Sequence, residues 1–118
     1  MAEPRHVSVR ENDPPFLILT SLISGPKHGY ALMQDIEGFA GVRLGPGSLY
    51  GAIGRLEERN LIEPLGAVSR IRPYQLTSAG REALEATLAG LRTVVDEATM
   101  RLAKAPRAPR VIAAGGFA

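Results

Sequence analysis

The stretch LGPGSLYGAIGRLEERNLI, residues 44–62, decides the fold. Pro46 and Gly47 break whatever precedes them, and Gly47 or Ser48 can cap a helix by leaving its first amides free or satisfying one. Leu49, Ile53 and Leu56 then recur at steps of four and three, with Tyr50 beside them, which is one apolar face at helical period. Ser48, Gly51, Ala52, Arg55 and Arg59 fall mostly on other faces. The helix is therefore apolar on one side and small or basic on the other. An ordinary amphipathic helix with solvated arginines has this spacing. So does a helix that enters a major groove to reach base edges and phosphates.

The flanks favour the second description. Asp13-Pro14-Pro15 reads as a helix start, with Asp13 as cap and Pro14 at the first helical position, where a missing donor costs nothing. Phe16 to Ile23 is apolar almost all round, which predicts a buried helix, and Gly25-Pro26 stops it. Lys27-His28-Gly29-Tyr30 opens a second helix. Its expected buried stripe is Tyr30, Met33, Ile36 and Phe39 or Ala40, with Leu32 adding width. Gly38 and Gly41 fray its end, and Val42-Arg43-Leu44 connects it to the central helix. Two helices joined by a short glycine-containing turn, the second small and basic outside, is helix-turn-helix grammar.

After Asn60, Leu61 to Leu65 reads as a short strand, residues 66–71 as a turn, and Arg72 to Leu76 as a return strand whose proline places it on an edge. Such a hairpin after a helix-turn-helix is a wing, and Arg70 and Arg72 become candidates for phosphate or minor-groove contact. Thr77 caps a last helix. Its apolar residues Leu84, Leu88, Leu91, Val95, Ala98 and Leu102 repeat at steps of four and three, a heptad seam. Three short helices offer too little surface to cover a seam of this length, so a second copy of the chain is the expected partner. Residues 1–12 have no period and read as an N-terminal arm. PRAPRVIAAGGFA, residues 106–118, reads as a disordered tail.

Composition bounds the rest. The chain has 118 residues, a formal net charge of +2 and no cysteine. That length holds one domain with a modest core. Without cysteine there is no disulfide scaffold, thiolate nucleophile or cysteine-rich zinc site. Two histidines, His6 and His28, are too few for a histidine-rich metal centre. Ser48 has no histidine–carboxylate partner nearby in sequence and there is no phosphate-binding loop, so neither a catalytic residue nor a cofactor is expected. No apolar run approaches a membrane span, and the first residues lack a signal core, which points to a cytoplasmic address. Residues 14–59 carry four basic and four acidic side chains. This even balance favours somewhat a winged-helix module that binds protein rather than DNA, the alternative to a DNA reader. Arginine outnumbers lysine twelve to two, and its planar fork suits phosphate and guanine.

Taken in order, these segments resemble the PadR family of bacterial transcriptional regulators over about residues 16–102. The resemblance rests on the apolar first helix ending in Gly25-Pro26 and on His28-Gly29-Tyr30 opening the second. It continues with Pro46-Gly47-Ser48-Leu49-Tyr50 opening the third and Arg55-Leu56-Glu57 within it. Asn60-Leu61-Ile62 enters the wing and Tyr74 to Gly80 leaves it. A mainly α fold with a small β-hairpin is implied: a winged helix-turn-helix over residues 13–77 and a C-terminal dimerisation helix over 78–105, as in the compact branch of the family. The implied function is sequence-specific binding of double-stranded DNA as a homodimer, usually as a repressor, with release by a small-molecule effector. By position, Ser48 and Tyr50 carry over as recognition-helix residues, with Gly47 at its start. Lys27, His28 and Tyr30 carry over to the start of the second helix, although Tyr30 also fits a core position with its hydroxyl at the edge. Arg55, Arg70 and Arg72 complete the expected DNA contacts, while Ala52 is a further candidate for the groove floor. Leu84, Leu88, Leu91, Val95, Ala98 and Leu102 form the expected dimer seam. Three features depart from the family pattern: the pliable Gly51 and Gly54, a wing without a glycine- and arginine-rich tip, and the absence of tryptophan. The last removes the paired indoles between which some members hold flat drugs.

Overall fold

The computed structural model describes residues 13–66 and 72–107. Its elements are α1 (Pro14–Leu22), α2 (Gly29–Ala40), α3 (Pro46–Glu58), β1 (Ile62–Pro64), β2 (Tyr74–Leu76) and α4 (Ser78–Lys104). The expected 1–12 arm, most of the 106–118 tail and the wing tip with Arg70 lie outside the described residues.

The first helix follows from its cap. Asp13 accepts the Phe16 amide at 3.5 Å, and Pro14 occupies the first turn. Leu17, Ile18, Leu19 and Leu22 are buried, so α1 is the post around which the other helices pack. Ser21 is buried too, and its hydroxyl donates to Asp35 Oδ2 at 2.6 Å, which satisfies it inside the core and ties α1 to α2.

In α2 the buried face keeps the centre of the expected stripe and loses its two aromatic edges. Gly29, Leu32 and Ile36 are buried, whereas Tyr30 is 60% exposed and Phe39 48% exposed. The centre of that face includes a glycine, which contributes nothing to an apolar count. Tyr30 and Phe39 lie at the two edges of the expected stripe, about 180° apart around the helix, while Met33 and Ala40 between them pack against the core. Gly41, at φ 70°, ends the helix in the left-handed conformation that glycine adopts without strain.

The central helix begins earlier than expected. Gly45 is its N-cap and Pro46 its first residue, so neither Gly47 nor Ser48 is the cap. Leu49, Ala52, Ile53 and Leu56 are buried. It ends at Asn60, whose φ of 61° lets the Leu61 amide donate back to the Leu56 carbonyl at 3.0 Å. Asparagine tolerates that conformation better than other residues with a Cβ.

The hairpin is antiparallel, pairing Ile62 with Leu76, Glu63 with Gln75 and Pro64 with Tyr74. Lys27 adds a one-residue bridge on the far side of β2. Its amide donates to the Tyr74 carbonyl at 3.1 Å, and the Tyr74 amide donates to the Lys27 carbonyl at 2.9 Å. Both backbone groups of Tyr74 thus point away from β1. Pro64 stands opposite without depriving the ladder of a donor.

One residue joins wing and last helix. The Thr77 hydroxyl accepts the Gly80 amide at 2.9 Å as N-cap of α4 and donates to the Asn60 carbonyl at 2.7 Å. The Thr77 amide donates to the Leu61 carbonyl at 3.1 Å. Gly80 presses on that same carbonyl: a Cβ there would lie 2.9 Å from Leu61 C, with the carbonyl oxygen nearer still. Only the first turns of α4 are held by the domain. Leu84 is buried in the core at 2% exposure, while beyond it Leu88 at 41%, Val95 at 57% and Leu102 at 77% are open and Leu91 is half-buried. Leu84 therefore belongs to the chain's own core, where the sequence pattern had counted it with the intermolecular seam.

Candidate nucleic-acid interface

The surface of interest is the side of α3 turned away from the core. Gly47, Ser48, Tyr50, Gly51, Gly54, Arg55, Glu58 and Arg59 are exposed on it. The buried residues Leu49, Ala52, Ile53 and Leu56 anchor its opposite side. Ala52, expected near the groove floor, is fully buried and cannot reach a ligand. The reason is geometric: it lies three residues from Leu49 and four from Leu56, so it shares their face.

The outer face is unusually bare. Gly47, Gly51 and Gly54 lie at steps of four and three and leave the helix backbone uncovered along one line. A Cβ at Gly47 or Gly54 would meet nothing within 4 Å, and one at Gly51 only the Arg55 guanidinium, at 3.6 Å. No fold contact excludes a side chain at these positions. The glycines leave this line of backbone open to close approach. Arg55 and Arg59 supply positive charge on this side, set against Glu58.

His28 is the N-cap of α2, its Nδ1 accepting the Ala31 amide at 3.5 Å. It remains part-exposed beside exposed Tyr30. Tyr30 Oη accepts from Gln34 Nε2 at 3.2 Å, one turn further along the helix.

Lys27 is placed differently from expectation. Its ammonium donates to the Ser21 carbonyl at the end of α1 and to Ser24 Oγ at 2.8 Å, and lies 3.9 Å from Asp35. Its side chain is only 18% exposed. A cation at the C-terminal end of a helix complements the partial negative charge of the unpaired carbonyls there. Lys27 is consumed by that role and is not free for a phosphate. Arg72, at the base of the wing, is half-buried.

Sequence reasoning missed two contributors. Gly29 forms a slot against which the end of Tyr50 rests, since a Cβ at Gly29 would lie 2.7 Å from Tyr50 Cζ with the hydroxyl closer. Gly80 sets the angle at which α4 leaves the wing. Both glycines fall in the segments that carry the family resemblance, but the only physical signal for their roles was a glycine just inside a helix start, where alanine would favour the helix more.

Comparison with known proteins agrees with this geometry. Residues 18–86 match the model of the transcriptional regulator PadR-like family. A PadR family transcription regulator from Clostridium difficile shares the fold with a TM-score of 0.66. It is 24% identical, over 75% of this chain and 96% of that one. RosR of Halobacterium salinarum superposes with a TM-score of 0.59 at 25% identity, over 70% of this chain and 73% of its own. An uncharacterised 37.1 kDa protein in transposon Tn4556 of Streptomyces fradiae is 54% identical over 77 residues. That match spans 65% of this chain but only 22% of the relative's length. No helix among the described residues is long and apolar enough to cross a membrane. The matched family model, extending from within α1 into α4 over more than half of the chain, makes this chain a member of the PadR-like family of transcriptional regulators.

Proposed function

We propose that the chain is a sequence-specific DNA-binding regulator that acts as a homodimer on an inverted repeat, usually to repress, and that a small-molecule effector releases it. One observation carries this reading. The glycine-lined outer face of α3, with Ser48, Tyr50 and Arg55, is exposed while its inner face is committed to the core. In a winged helix-turn-helix that is the face that enters the major groove. Ser48 and Tyr50 are side chains of base-reading reach, and Arg55 and Arg59 meet phosphates at the groove edge. His28 and the first turn of α2 lie against the backbone, and Arg72 lies where the wing reaches it.

The dimer part rests on α4. Beyond Leu84 its seam residues Leu88, Leu91, Val95, Ala98 and Leu102 recur at heptad spacing. Leu88, Val95 and Leu102 are exposed. A second copy covers such a seam with the same residues. Pairing about a two-fold axis sets the two α3 helices one helical turn of DNA apart, about 34–36 Å. An effector would act by changing that separation through the paired helices, a coupling between two sites. Work of this kind takes place in the cytoplasm.

The test is selection from a random duplex library with purified protein at near-physiological salt, followed by sequencing. Enrichment of an inverted repeat with half-sites about one turn apart supports the reading. A folded dimer that enriches nothing refutes it in favour of a protein-binding winged helix.

A further inference from the structure

Gly29 is the first residue of α2, is buried, and has His28 before it as cap. Tyr50 is on α3 and is 53% exposed. These two residues meet. The three atoms nearest to a Cβ at Gly29 are all of the Tyr50 phenol: its hydroxyl, Cζ at 2.7 Å and Cε1 at 3.1 Å. The end of the ring is thus seated on the first turn of α2 while the residue remains 53% exposed. No other residue type leaves room for that seat, because every other one brings a Cβ.

We infer that Gly29 is a positioning residue for recognition: it fixes the direction in which Tyr50 leaves α3 and so the edge that the phenol presents to DNA. The inference rests on the DNA-binding reading above and adds to it a determinant of sequence preference that itself touches no base. A Tyr side chain on an exposed helix face samples several rotamers. Seating its end against a second helix selects one, and ordering a contact group before binding removes a cost of binding.

The chemistry of the clash makes the inference testable. The atoms in the way belong to the far end of a side chain with open space around it, not to backbone. A Gly29→Ala chain therefore relieves the clash by swinging Tyr50 off α2, and the fold persists. Alanine also favours the helix at that position.

The experiment is a double-mutant cycle of Gly29→Ala and Tyr50→Ala, read on the duplex enriched by the selection and on a random-sequence duplex. Gly29→Ala should keep an unfolding midpoint at least equal to wild type and its affinity for random duplex. It should lose about fivefold or more of its preference for the enriched duplex, the range of one base contact. In the Tyr50→Ala background the same change should cost nothing further. In the free proteins, nuclear Overhauser contacts between the Tyr50 ring and residue 29 should be present in wild type and lost in Gly29→Ala. Full preference in Gly29→Ala, an equal loss in both backgrounds, or retained ring contacts would each overturn the inference. An unfolded Gly29→Ala would do so as well, by showing the slot to be core packing. A wild-type chain that enriches no duplex refutes the DNA reading itself, whereas a selective wild type with an equally selective Gly29→Ala refutes only the role of Gly29.

Discussion

Gly80→Ala and Gly90→Ala are the same chemical change in the same helix, and they should move stability in opposite directions. Both positions are in α4. At Gly90 a Cβ meets nothing within 4 Å. Alanine there gains helix propensity and lowers the entropy of the unfolded chain, worth about 0.5–1 kcal/mol in favour of folding. At Gly80 the new Cβ would lie 2.9 Å from the Leu61 carbonyl carbon and 3.3 Å from its Cα, with the oxygen inside both. The obstacle is backbone, held by the Leu61 amide on Leu56 and by the Thr77 amide on the Leu61 carbonyl. Relief requires α4 to lift off the wing. Overpacking of this kind costs about 1–3 kcal/mol. The strained Thr77–Leu61 hydrogen bond adds about 1 kcal/mol. The same propensity gain of about 1 kcal/mol offsets part of this. The net expectation is a loss of about 1–3 kcal/mol. For a domain of this size that lowers the midpoint by about 5–20 °C, while Gly90→Ala raises it by a few degrees. The assay is thermal and urea unfolding followed by circular dichroism, at matched protein concentration because association shifts the midpoint. A Gly80→Ala protein as stable as Gly90→Ala would refute the contact and the placement of α4 that depends on it.

Three further outcomes follow from the same structure. Lys27→Met should destabilise by about 1 kcal/mol, by removing a cation bonded to the end of α1, and leave the salt dependence of DNA binding unchanged; a flatter log–log slope would return Lys27 to the phosphate contacts. Arg55→Ala should leave the unfolding midpoint near wild type and flatten that slope by about one unit, similarly on every sequence; an unchanged slope removes Arg55 from the interface. Val95→Glu, which places a charge in the exposed seam, should convert a dimer to monomers in light scattering while the domain's circular dichroism persists; a dimer that survives would move the interface off the seam.

The sequence by itself determined the elements and their order. Asp13, His28 and Thr77 each start a helix through local capping chemistry and Pro46 by its fixed backbone angle, and Gly25, Gly41 and Asn60 end one through a backbone conformation that few residues adopt. Those are interactions within four or five residues, so they are legible from neighbours in the chain. Leu49, Ile53 and Leu56 on the inner face of α3 were legible because apolar residues at helical spacing mark them. What only the tertiary structure decided were the roles set by atoms distant in sequence or by atoms that are absent. Lys27 looked like a free cation until the end of α1 was seen to consume it. Ala52 looked small enough for a groove floor, yet its whole surface is spent on the core. Tyr30 and Phe39 looked like core because they are aromatic and at helical spacing, yet they stand at opposite edges of the α2 stripe where solvent reaches both. Glycine is silent in an apolar pattern. Its meaning at 29 and 80 lies in the Tyr50 phenol and the Leu61 carbonyl that occupy the space a side chain would need.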